Sequence, residues 1–466
     1  MKLDSMKKGL LFTAFLMVSS VLYGAEKTEN FEEWLSFQAE RSNELMRGNI
    51  SPKGTLPGTV VASLSKSEPN YFYHWIRDAA LVMTTLYDLD KSDAAVGLLK
   101  DYARLSQMQQ DKPSPGGIGE VKYYVNGEPF TGPWGRPQND GPALRVIALA
   151  KLANQLLDEG DRSFVDEVLY NSSLKARSVI KRDLEYVSHN LAMADFDLWE
   201  EVKGFHFFTR IVQRKALLVG AELAIRLDDP LAAEWYLSKV EELNKTLSHH
   251  MPYGSKFITA TLGRTGGIDY KGGQDSSTIL ALLYTDDGRD EYLGLSNPRV
   301  TDNITTLIQS FIDVYDINSN LDGIGPAIGR YPEDTYDGYE SRGEGNPWFL
   351  MNHGYAEYFY RLAALFLSEG EVAITKENHK FFAMVSRLTG ESIEQADFRQ
   401  QVQLLVETGD LFLKRSMLHA DADGSLPEQF NRYTGFGQGA PNLTWSHSSF
   451  LRAYDSRLKV KAAQTK

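Results

Sequence analysis

Cysteine is absent from the 466 residues. Disulfides, zinc thiolate sites, iron–sulfur clusters and cysteine nucleophiles are therefore excluded together. An excess of positive charge is missing too: 49 Lys and Arg stand against 62 Asp and Glu, a net −13 with a pI near 5.3. Nucleic acid and anionic membranes are held by clustered cations, so neither class of partner fits. No phosphate loop, HExxH helix, GxSxG elbow or dinucleotide fingerprint occurs. There is no low-complexity linker, and beyond the N-terminus no apolar run approaches the about 20 residues of a membrane span.

Apolar and aromatic residues are plentiful. At 42% hydrophobic residues the chain can bury a sizeable core, and its length allows either about three average domains or one large helical or barrel domain. Lys7 and Lys8 precede an apolar run from Leu10 to Tyr23, closed by Gly24-Ala25. That pattern predicts a secretory signal peptide over 1–24, with export to the periplasm or medium. The remaining 25–466 read as a single domain. Helical periodicity recurs over Phe31–Met46, Ile76–Leu89, Ala94–Gln109, Pro142–Leu157, Val165–His189, Phe207–Arg226 and Leu231–His250. It resumes over Ser276–Tyr284, Thr301–Val314, Pro347–Leu367, His379–Leu388, Glu394–Leu413 and Leu443–Leu458. Some connections are long and rich in Gly, Pro and aromatics: 51–74, 111–137, 252–275, 317–346 and 419–442. Loops of that length inside a compact domain are usually functional. A ring of helical hairpins with its long loops on one side fits this alternation.

Five of the seven tryptophans, Trp75, Trp134, Trp199, Trp348 and Trp445, lie in or beside the long loops. A single one reads most simply as a staple to the core. Five together suggest a pocket with flat apolar walls, suited to sugars. Carboxylates lie near them. In Asp197-Leu-Trp-Glu-Glu201, a carboxyl beside an indole face is a candidate proton donor. Asp197-x-x-Glu200 is also a helix capping box, the stronger reading on spacing alone. Adjacent Glu200 and Glu201 cannot point the same way on a helix, so only one of them serves as donor. Glu428 follows Pro427, which holds Leu426 out of the helical region and puts Glu428 in an extended or turn segment. A calcium loop at Asp421–Gly424 fails, because His419 and Phe430 fall where Asp and Glu are needed. Arg77-Asp78 and Arg330 are either salt-bridge partners or forks for sugar hydroxyls.

Taken together, Tyr71-Phe-Tyr-His-Trp-Ile-Arg-Asp78, Trp134-Gly-Arg-Pro-Gln-Asn-Asp-Gly-Pro-Ala-Leu-Arg145, Asp197-Leu-Trp-Glu-Glu201, Gly329-Arg-Tyr-Pro-Glu-Asp-Thr-Tyr336, Asn346-Pro-Trp-Phe-Leu350 and Leu426-Pro-Glu-Gln-Phe430 closely resemble glucoamylases, the family-15 glycoside hydrolases. The likeness covers about residues 30–458 in the family's order. It implies an all-α (α/α)6 barrel, six inner and six outer helices, with a pocket in the loops at one end. It implies Glu200 as general acid and Glu428 as general base of an inverting reaction. Glu201, Asp78, Arg77, Arg330, Trp199 and the backbone at Gly135 would hold the terminal glucose. Trp134 and Trp348 would wall the next subsites, Tyr71 would bond Glu428, and Trp75 and Trp445 would line the floor. The expected activity is release of β-glucose from the non-reducing ends of α-1,4-glucans, by a monomer, without metal or other cofactor. Isomaltosaccharides or trehalose are alternative substrates, and a non-catalytic sugar binder is the alternative from another class. The stretch 337–345 is longer than in fungal members, so outer subsites are expected to differ.

Overall fold

The computed structural model describes residues 31–288 and 292–465. The segment 1–24, expected from sequence to be a signal peptide, lies outside the described residues. Among them are thirteen helices of nine residues or more: α1 (Phe31–Gly48), α2 (Ile76–Leu89), α3 (Asp93–Gln110), α4 (Asp140–Asp158), α5 (Val179–His189), α6 (Phe207–Arg226) and α7 (Pro230–Leu247), then α8 (Ser277–Thr285), α9 (Pro298–Val314), α10 (Phe349–Glu369), α11 (His379–Thr389), α12 (Phe398–His419) and α13 (Thr444–Gln464). Helices α2, α4, α6, α8, α10 and α13 each pack on the next, and α13 returns to α2. That closes an inner ring. The helices between them form the outer layer, with α1 on α13, α7 on α6 and α12 on α10.

Position in the ring explains the apolar patterns. An inner helix has neighbours on every side, so α4 buries Ala143, Leu144, Val146, Ile147, Ala148 and Leu149 in one run. An outer helix buries a single stripe. In α9 that stripe is Val300, Ile304, Leu307, Ile308 and Phe311, at helical spacing. Local caps fix several starts: Ser92 accepts from the Ala95 N–H and Asp397 from the Gln400 N–H. The Asp397 cap places the start of α12 at Phe398 rather than Glu394, and the helix runs on to His419.

One expected helix is broken. Over 165–189 the chain makes a wide turn at Val165–Leu169 and a tight one at Leu174–Ala176, and becomes regular only from Val179. The interruption is local polar chemistry. Asn171 Oδ1 takes the Ser173 N–H, Ser178 Oγ takes the Asn171 N–H, and Arg177 sits at φ 57°.

The inner helices present their N-termini to one end of the ring, where the long loops lie. Small antiparallel sheets order these loops: β1 (His74–Trp75) with β2 (Lys122–Tyr123), β3 (Asp195–Phe196) with β4 (Val202–His206) and β5 (Thr261–Gly267), and β6 (Gln429–Phe430) with β7 (Gly437–Gln438). No helix among the described residues is long and apolar enough to cross a membrane.

Candidate active site

A cavity of about 510 Å³ opens at the loop end of the ring. All thirteen residues singled out from sequence line it: Glu200, Glu428, Tyr71, Trp75, Arg77, Asp78, Trp134, Gly135, Trp199, Glu201, Arg330, Trp348 and Trp445. They arrive from separate loops and from the first turns of α2 and α13.

Arg77 and Asp78 occupy the first turn of α2, directly after β1. The Arg77 guanidinium donates to Gln138 Oε1 at 2.8 Å, Asp140 Oδ2 at 3.0 Å and Glu200 Oε1 at 3.3 Å. Its partners are therefore Asp140 and Glu200, not the adjacent Asp78. Burial pushes the Asp78 carboxyl up to about 7, although Arg77 opposes the shift.

Glu200 and Glu201 sit in the turn between β3 and β4, so the capping-box reading is corrected. No helix follows Asp197; its Oδ1 instead accepts the Glu201 and Val202 N–H groups at 2.8 and 2.9 Å and so builds a hairpin turn. Buried Lys271 bonds Asp197 Oδ2 at 3.0 Å and Asp275 Oδ2 at 2.5 Å, while Asp275 accepts the Trp199 indole N–H. The same ion cluster thus fixes the turn and the tryptophan. Burial works against the Asp197 charge, yet Lys271 and the two N–H groups hold its carboxyl down at about 2.

The turn puts Glu200 in the left-handed region, at φ 69°. Its carboxylate then meets three donors: Trp75 Nε1 at 2.9 Å, Trp134 Nε1 at 2.6 Å and Arg77. Glu201 turns the other way, accepting from Arg330 and from the Tyr331 hydroxyl, each at 2.7 Å. Arg330 is forked by Asp334 through two bonds, of 2.8 and 2.6 Å.

Glu428 precedes β6 and is 2% exposed. Its Oε1 accepts from Tyr71 at 2.9 Å and its Oε2 from Tyr336 at 3.2 Å, and the two phenol oxygens lie 2.8 Å apart. Burial pushes this carboxyl up to about 8, against the pull of Tyr71, Arg330 and Tyr336. A close approach of backbone shapes its back wall. Gly439, at φ 77°, comes so near that a Cβ there would lie 2.6 Å from Glu428 Oε2.

Trp199 stacks near-parallel on Trp445 at 6.2 Å and tilts against Trp348 at 5.7 Å. These rings make one wall, and Trp75 with Trp134 makes the other. Behind that second wall is a residue the sequence reading did not find. Lys122 pairs with Trp75 across β1 and β2, and its Nζ faces four rings: Trp134 at 3.3 Å, Trp75 at 4.2 Å, Phe130 at 4.5 Å and Tyr73 at 4.8 Å. Burial draws this ammonium down to about 8. Among the described residues no group of three or more His, Asp or Glu could hold a metal ion.

Two carboxyls facing one cavity that Arg, Asp and indole side chains also line define a site of the glycosidase kind. The family is specific: a family model for glycosyl hydrolases family 15 matches residues 40–455, and the chain belongs to that family. It is 36% identical to a glucoamylase of Blastobotrys adeninivorans, over 93% of this chain and 73% of the relative. To glucoamylase 1 of Rhizopus oryzae it is 36% identical, over 92% and 72% of the two chains. The solved glucoamylase of Saccharomycopsis fibuligera superposes with a TM-score of 0.83 at 34% identity, over 93% of this chain and 96% of that one. The (α/α)6 barrel expected from the sequence is the fold of the chain.

Proposed function

We propose that Glu200 is the general acid and Glu428 the general base of an inverting hydrolysis. The activity they serve is that of a glucan 1,4-α-glucosidase, releasing glucose from the non-reducing ends of starch-like chains. The observation that supports these roles is the placement of the two carboxyls on separate loops facing one cavity, with opposite surroundings. Glu200 is held by three N–H donors, whereas Glu428 is buried and touched by two phenols. The terminal sugar enters until the Arg77–Asp78 and Arg330–Glu201 groups bond its hydroxyls. Glu200 then gives a proton to the glycosidic oxygen while Glu428 takes one from a water, which attacks the opposite face of the sugar. β-Glucose is the first product, and NMR of a fresh digest reads it before mutarotation.

Leaving-group chemistry tests the roles. Fluoride departs from α-glucosyl fluoride without help from a strong acid, whereas the sugar leaving maltose needs one. Glu200→Gln should lose about 10²–10⁴-fold on maltose and far less on the fluoride, and Glu428→Gln should lose heavily on both. The reverse pattern exchanges the two roles. A chain that binds maltose and never cleaves it is a binder. Glucose from trehalose or isomaltose in preference to maltose would reassign the specificity. We also read residues 1–24 as a cleaved export signal on a monomeric enzyme, which N-terminal sequencing and light scattering of the natural product test.

A further inference from the structure

The cavity's inner rings are nearly covered: Trp75 is 7% exposed, Trp199 6%, and Trp348 and Trp445 5% each. At the mouth the character changes. Tyr339 lines the same cavity yet is 56% exposed, and among the described residues neither its ring nor its hydroxyl has a partner.

The loop that carries Tyr339 is tied at several points. The Tyr339 and Glu340 N–H groups both donate to Asp337 Oδ1 at 2.9 Å. The Asp337 carbonyl accepts from Asn346 at 3.1 Å and Gln438 at 2.6 Å. Gly343 and Gly345 return N–H bonds to the carbonyls of Thr335 and Asp334. Asp334 is also the residue that forks Arg330, so the mouth loop and the sugar-binding arginine share one brace. Ser341 and Asn70 line the cavity beside the ring. Asn70 uses its side-chain oxygen on the Phe72 N–H, leaving its amide NH₂ for a ligand.

From this we infer that Tyr339 is the stacking platform of an outer subsite for the third or a later glucosyl unit of a linear α-1,4-glucan. The inference rests on the reading of the chain as an exo-acting glucosidase. On that reading the two rings of a maltose at the carboxylates fill the inner cavity between the indole walls. Only a longer chain reaches a braced aromatic at the mouth. There the apolar face of a sugar ring covers the phenol, and Ser341 and Asn70 meet its hydroxyls. The 337–345 stretch thereby sets chain-length preference.

The test is the ratio of kcat/KM on maltoheptaose to kcat/KM on maltose. Loss of one aromatic contact predicts a fall in that ratio of about three- to tenfold in Tyr339→Ala. Tyr339→Phe, which keeps the ring, should retain it. An unchanged ratio in Tyr339→Ala overturns the subsite, whether both activities stay level or both fall together as they would for a merely structural residue. If the unmodified protein releases glucose from neither sugar, the glucosidase reading has failed. Calorimetric affinities for the same two sugars then test the platform: a selective weakening of maltoheptaose in Tyr339→Ala supports it, and equal affinities overturn it.

Discussion

Replacing Lys122 by methionine keeps the side chain's length and apolar stem and removes only its charge. Burial lowers this ammonium from 10.5 to about 8, so keeping it charged at neutral pH costs about 3 kcal/mol. The rings around it return part of that, about 2 kcal/mol for a desolvated cation over an indole such as Trp134 at 3.3 Å. The charge is thus neutral to slightly unfavourable for folding, and Lys122→Met should change unfolding free energy by no more than about 1 kcal/mol, in the stabilising direction. Activity should go the other way. The cation clamps Trp75 and Trp134, whose indole N–H groups hold Glu200 at 2.9 and 2.6 Å. A bond to a charged group is worth about 1.5–3 kcal/mol, so loosening one costs about tenfold or more in kcat. Urea unfolding and maltose kinetics on the same preparation read both quantities. The pH profile adds a sign. Lys122 loses its charge as pH rises through about 8, so the parent's advantage in kcat over the methionine variant shrinks along that limb, the titration of the two carboxyls being common to both. A variant destabilised by 2 kcal/mol or more with normal kcat would refute the reasoning and leave Lys122 as a packing residue.

Two further expectations follow from Glu428 and its surroundings. In Gly439→Ala the new Cβ meets Glu428 Oε2 at 2.6 Å, at a φ that L-residues rarely adopt, so kcat on maltose should drop by at least about tenfold while the far-ultraviolet spectrum keeps its helical shape; parental activity would mean the carboxyl can move aside freely. Glu428 and Asp78 have folded values of about 8 and about 7 against 4.5 and 3.8 unfolded, so both bind their protons more tightly when folded. The stability they contribute is complete below about 4 and is lost as pH rises through 7 to 8, so Tm should be higher at pH 5 than at pH 8. Glu428→Gln should flatten that dependence, and an unaltered slope would show that Glu428 is not its source.

Much of the architecture was legible because it rests on period and composition. The nearly all-apolar run 142–157 is an inner helix, and five loop tryptophans converge on one cavity. What escaped depends on pairing at a distance. Nothing around Lys122 marks it; its place behind the indoles comes from the register of β1 on β2, which sets it opposite Trp75. Lys271 acquires meaning only when β5 and the loop after it bring it between Asp197 and Asp275. The segment 190–206 was not among the long loops anticipated, although it carries Glu200. Its Asp197-x-x-Glu200 spacing favours a helix start, and the β3–β4 pairing overrides it with a turn.

If Glu200 is the general acid and Glu428 the general base, as proposed, both carboxyl environments favour the state each group reaches after its proton has moved. In the proposed role Glu200 gives up a proton and ends as a carboxylate. The three N–H donors already aimed at its oxygens suit that anion, and two of them belong to rigid indoles that need no reorientation. The proposed base Glu428 does the opposite: it acts in the molecules that hold it as a carboxylate, and it ends protonated. Around it three oxygen contacts close a ring: Glu428 to Tyr71, Tyr71 to Tyr336, and Tyr336 back to Glu428. With Glu428 ionised, two phenol protons must serve three contacts, and one oxygen pair is left facing without a hydrogen. When Glu428 takes the proton of the attacking water, three protons serve three contacts and the ring closes. Burial adds to the same preference, since the neutral acid is the form that the buried site tolerates. Donation and acceptance are thus both drawn forward by groups fixed before the sugar arrives, so stabilisation grows along the reaction instead of being spent on the bound substrate.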